Sequence, residues 1–81
     1  MQKGYTEIME NVVYIVTSGG TYDNERIVSV HMTLKGAQRA AKQLVEHEAI
    51  EEGMDYTLSA DGMNWTENGN FIRVGAYTAA D

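Results

Sequence analysis

The chain has no cysteine, which removes disulfides and thiolate-bound zinc as ways of holding it together. Its two histidines, His31 and His47, are far apart and lack the companion spacing of a ligand set, so neither a metal nor another cofactor is expected. No apolar run approaches the roughly 20 residues that cross a bilayer, and the opening MQKGYTEIMEN lacks the apolar core of a signal sequence. These absences lead to the expectation of a cytoplasmic protein with no membrane partner. The Asn64-Trp65-Thr66 sequon is then an accident of composition.

Catalytic signatures are missing as well. There is no serine in an elbow motif, and neither histidine has a carboxylate at an orienting spacing. The Gly19-Gly20 pair follows a strand-like run, but no Lys-Ser/Thr comes after it and the chain continues into another strand instead of opening a helix. The acidic residues lack the Asp-x-Asp-x-Asp-Gly loop of a calcium site. No catalytic residue is assigned, and the chain is not expected to be an enzyme.

What is present begins with charge. Residues 1–42 carry Lys3, Arg26, Lys35, Arg39 and Lys42 against Glu7, Glu10, Asp23 and Glu25, a net of +1. Residues 43–81 carry Glu46, Glu48, Glu51, Glu52, Asp55, Asp61, Glu67 and Asp81 against Arg73 alone, a net of −7. Such a surface repels phosphate, so direct nucleic-acid binding is excluded, and it attracts basic surfaces over a Debye length of roughly 8 Å.

The 81 residues read as a single domain, 1–81, with 1–10 as a loose lead-in. A chain this short buries roughly 60% of its surface on folding, so self-association into a homodimer is a natural supplement to its core.

The run Arg26 to Glu52 organises the rest. RIVSVHM is a strand that places Val28, Val30 and Met32 on one face at period two, with Ser29 and His31 on the other. Thr33 is the N-cap of a helix whose Leu34, Ala37, Ala41, Leu44 and Val45 recur at helical spacing, and Gly53 is its left-handed stop. Basic residues lead this helix and acids trail, which opposes its dipole.

Before it, Val12 to Ser18 is apolar on both faces and reads as a central strand, joined to the next by a loop with Tyr22 and Asp23 at its tip. After it, Tyr56 to Ser59 is a short strand or an irregular return, and Asp61-Gly62 is a turn. Asn68-Gly69 then calls for a type I′ hairpin that sets Thr66 opposite Phe71, Trp65 opposite Ile72 and Asn64 opposite Arg73.

That register places Met63, Trp65, Ile72, Val74 and Ala76 under the helix with Val28, Val30, Met32, Leu34, Ala41, Leu44 and Val45, and Trp65 should be largely buried. The fold class expected is α+β: an antiparallel sheet of three or four strands in ββαββ order with one helix on one face. Tyr14 or Ile15, Ile27, Phe71 and Tyr77 fall on or near the uncovered face.

Tyr14-Ile-Val-Thr-Ser-Gly19, then Tyr22-Asp23, an apolar strand and Thr33 heading an alanine-rich helix resemble small phage-encoded ββαβ proteins of the host-takeover and anti-defence kind, including some anti-CRISPR inhibitors. The likeness spans Tyr14 to Val45. It implies a compact inhibitor acting in the cytosol of a host cell on a protein that receives nucleic acid, and it carries no functional residue across.

The expected function is therefore a non-enzymatic acidic inhibitor. Its carboxylates Glu46, Glu48, Glu51, Glu52, Asp55, Asp61 and Glu67 would enter a basic groove, accepting arginine hydrogen bonds in place of phosphates. Acidity for solubility alone is the plain alternative. A second reading uses the open sheet face of a homodimer as an interface of Tyr14, Ile27, Phe71 and Tyr77, or as a sensor or enzyme pocket among Tyr14, His31, Arg73 and Tyr77. So small a domain is not expected to enclose roughly 300 Å³ by itself. A third reading is a structural or assembly protein.

Overall fold

The computed structural model describes residues 12–21 and 24–78. The lead-in at 1–10 and the loop tip at Tyr22 and Asp23 lie outside the described residues. Five strands and one helix follow in the order ββαβββ: β1 Val12–Gly19, β2 Arg26–His31, α1 Leu34–Glu52, β3 Thr57–Leu58, β4 Asn64–Glu67 and β5 Asn70–Thr78. The sheet is antiparallel in the order β2-β1-β5-β4-β3. The α+β class holds. The expected three or four strands become five because Thr57 and Leu58 pair with Thr66 and Trp65.

Both helix ends form as their residues dictate. Thr33 is extended, and its Oγ1 accepts from the Gly36 amide at 3.0 Å, satisfying one of the orphan first-turn donors. Gly53 takes φ 69°, and its amide and that of Met54 turn back onto the Glu48 carbonyl, an ending a Cβ would strain. Between them Ala37, Ala41 and Val45 are buried against Val16, Ile72 and Val74, with Leu44, Met63 and Trp65 at the margin. The alanines let the helix lie close over β1 and β5, and those two strands provide the sheet side of the core.

The β4–β5 hairpin has the expected register: Asn64–Arg73, Trp65–Ile72, Thr66–Phe71 and Glu67–Asn70. Asn68 and Gly69 have φ of 47° and 87°, both positive as a type I′ turn requires. Trp65 faces the helix side and packs against the core, mostly covered as expected; it stops short of full burial because β4 is followed outward only by the two-residue β3.

The face of β2 is the opposite of the one expected. Ser29 and His31 pair with Val16 and Tyr14 and so lie on the helix side, while Val30 pairs with Ile15 on the open side. Val30 is 56% and Met32 74% exposed, and Val28 and Leu34 are exposed too. The alternation is real, but the sheet side of the core comes from Val16, Ile72 and Val74 of β1 and β5 with no buried residue of β2, so the helix side of this edge strand is a rim. Polar Ser29 and His31 fit there, bonded to each other at 2.8 Å. Ala76, opposite Tyr14 near the far end of β5, is likewise exposed.

The register also slips once. Val16 pairs with Ser29 but Thr17 with Ile27, leaving Val28 without a partner on β1, which is a β-bulge. Beyond the bulge Arg26 comes opposite Ser18, on the helix side. In an unbroken alternation with Ser29 it would have pointed away.

Candidate functional site

The acidic residues separate into three places. Glu48 and Glu52 are one turn apart on the stripe of α1 that continues Ala37, Ala41 and Val45, so they face the end of the sheet. Glu48 is half-buried and accepts a hydrogen bond from the Tyr56 hydroxyl at 2.7 Å. Glu67, opposite Asn70 on the helix side of the hairpin, adds a third carboxylate near Tyr56. Burial pushes the Tyr56 phenol above its ordinary range. The hydrogen bond to Glu48 and the charges of Glu48, Glu67 and Glu52 push it further the same way.

Glu46 and Glu51 lie at the same end of the helix but off that stripe, and Asp55 follows the helix; all three are exposed, as is Glu52, and they form an outer rim to the pair. Asp61 does not join them. It accepts from Ser59 Oγ at 2.5 Å and from the Met63 amide at 3.0 Å, and these two bonds hold its carboxyl below the usual value. Its turn is tied to Gln38, whose Nε2 donates to the Gly62 carbonyl at 3.3 Å. Gln38 and Glu48 are separated by about 15 Å of helix at 1.5 Å per residue, so Asp61 serves its own turn and not the acidic end.

Between the last turns of α1 and the ends of β1, β2 and β5 lies a cavity of about 330 Å³, walled by Ser18, Arg26, Glu48, Glu52, Tyr56 and Asn70 among others. The volume is open to solvent along its rim, where Arg26 and Glu52 are exposed, so a single chain forms a recess of this size without enclosing it. Tyr56, Arg26, Ser18 and Asn70 were not legible as members of this place. Arg26 depends on the bulge at Val28 and Tyr56 on the reversal at Gly53, and a bulge leaves no mark in a single sequence.

The alternative pocket does not assemble. Tyr14 and His31 are on the helix side, Tyr14 packed against the core, while Arg73 and Tyr77 are on the open side. Tyr14 therefore also leaves the alternative interface with Ile27, Phe71 and Tyr77. On that face Ile27 is 64% exposed, and Phe71 is covered by the Arg73 guanidinium at 4.5 Å. Arg73 in turn reaches Glu25 at 3.7 Å, the one ion pair among the described residues. No group of three or more potential metal-ligating side chains occurs among the described residues, and none of their helices is long and apolar enough to cross a membrane.

No family model matches the chain, and no curated protein or solved structure is significantly similar to it.

Proposed function

We propose that the protein is a non-enzymatic acidic binding protein that presents the C-terminal end of α1 to a lysine- and arginine-rich groove of a nucleic-acid-handling protein and thereby blocks it. The observation that carries this reading is an uncompensated negative helix end. Glu46, Glu48, Glu51 and Glu52 occupy the last two turns with no basic residue in the final turn and, among the described residues, no ion pair. The helix dipole adds partial negative charge at the same end, and apart from the Glu48–Tyr56 hydrogen bond the arrangement works against the helix itself, which favours a use outside the chain. Asp55 extends the surface and Glu67 flanks it. Asp61 is not part of it. The likeness to phage-encoded inhibitors supplies the expected setting, the cytosol of an infected host.

The test separates this surface from general acidity. The chain is used to capture proteins from host lysate, the captured protein is purified, and its affinity is measured against salt and against its own nucleic acid. Binding should weaken as salt rises and should compete with the nucleic acid. Reversing Glu48, Glu51, Glu52 and Asp55 should cost about 2 kcal/mol or more, and reversing Glu7, Glu10 and Asp23 a few tenths. Equal effects from the two sets would reduce the helix end to general steering and sink the proposal.

A further inference from the structure

The cavity beside α1 shares Glu48 and Glu52 with the proposed partner surface but sets a cation against them that the partner surface does not use. Arg26 stands on the sheet wall and Glu48 and Glu52 on the helix wall, and no ion pair joins the two walls. Opposite charges placed around one volume without meeting leave room for a molecule that carries both. Ser18 adds a second and independent observation. It is 8% exposed and lines the cavity, and among the described residues its hydroxyl has no hydrogen-bond partner. A polar group buried that deeply is destabilising when unmatched, and a ligand donor or acceptor at this spot would match it.

We infer that this cavity binds a small zwitterion with a basic side chain: free arginine or lysine, or the same residue at the C-terminus of a peptide. The volume of about 330 Å³ falls in the small-molecule range. Each wall has a matching chemistry. Arg26 offers a planar fork for bidentate capture of a carboxylate. Glu48 and Glu52, one helical turn apart, bracket a guanidinium or ammonium, and the C-terminal helix carbonyls favour the same charge. Two carboxylates against one guanidinium leave the walls at a net −1, so a ligand of net +1 neutralises them, which a neutral amino acid does not. Asn70 and Ser18 supply the remaining polar contacts. The partner surface needs neither Arg26 nor Ser18, so the two proposals fail separately.

The experiment is a calorimetric and amide-shift titration of the whole chain with four probes: L-arginine, agmatine, which lacks the carboxylate, L-norvaline, which lacks the side-chain cation, and Gly-Gly-Arg. L-arginine or Gly-Gly-Arg should bind saturably with Kd below about 1 mM, and agmatine and norvaline about tenfold more weakly. Shifts should gather at Ser18, Arg26, Tyr56 and Asn70. Whichever of the two full probes binds more tightly identifies the source. Arg26→Ala, at an exposed position whose loss leaves the melting transition in place, should lower arginine to the affinity of agmatine, and Glu52→Gln to that of norvaline. Agmatine binding as well as arginine, an Arg26→Ala variant with unchanged affinity, or no saturable binding by any probe would each overturn the inference.

Discussion

The two hairpins of the sheet, β1–β2 and β4–β5, carry the same kind of apolar alternation, but they hold it in place by different means. In β4–β5 the strands are joined by two residues, and a two-residue turn admits one register, so the pairing of Trp65 with Ile72 follows from Asn68-Gly69 alone. In β1–β2 the connection is longer and the register slips at Val28. Nothing local decides which face of β2 goes inward, and the position of the helix decides it instead. A strand whose turn is strict can be assigned from its own residues, whereas an edge strand is assigned by its neighbours.

The largest expected effect sets one buried residue of the strict hairpin against one residue of the loose one. Ile72 is fully buried under the helix, and Ile72→Ala should cost about 3 kcal/mol by lost transfer energy and a residual cavity. Val30→Ala should change stability by no more than about 0.5 kcal/mol, since the side chain lies on the uncovered face. Urea unfolding of both variants measures the contrast. Comparable losses would mean that Val30 is buried in solution and that β2 turns its other face to the helix.

A smaller effect probes the bulge itself. Deleting Val28 leaves Ser29 opposite Val16 and Ile27 opposite Thr17, so every existing pair and face survives and the alternation becomes regular. Stability should move by only about 1 kcal/mol. The matching deletion in the strict hairpin, of Thr66, would turn part of β4 over and carry Trp65 or Glu67 to the wrong face, and a cooperative transition should be lost. Thermal melts of the two deletions decide the point. A Val28 deletion that unfolds the chain would place the bulge elsewhere.

These contrasts also locate the limits of what the sequence could reveal. The helix, both its caps, the hairpin register and most of the core follow from spacing, because Thr33, Gly53, Asn68-Gly69 and the alanine stripe each specify local geometry. The face of β2, the two-residue β3 and the cavity do not, because each depends on where separate segments meet. The acidic end of the helix was legible as a charge pattern. Its division into an inward pair, Glu48 and Glu52, and an outer rim, Glu46, Glu51 and Asp55, could be seen only once the stripe through Ala37, Ala41 and Val45 had a sheet beneath it, and Asp61 read as one acid among several until its turn proved to bind it.

The smallest effect lies where the two hairpins meet the helix end. The second hairpin sets Glu67 near Tyr56, and Tyr56 donates to Glu48; on the side of the first, Arg26 and Ser18 make no such bond among the described residues. Burial and the three carboxylates raise the Tyr56 phenol above its ordinary value of 10.0 in the folded chain. The protonated form is therefore favoured by folding: its contribution is complete below pH 10 and is lost as pH rises through the higher folded value. Stability measured by urea unfolding should accordingly fall from about pH 10 upward with a slope to which Tyr56 contributes. Tyr56→Phe should cost about 0.5 kcal/mol at neutral pH, the net worth of a half-exposed hydrogen bond, and should show a shallower alkaline decline than the parent. Parallel declines in parent and variant would mean that Tyr56 titrates as it does in the unfolded chain, and that the second hairpin is tied to the helix end no more firmly than the first.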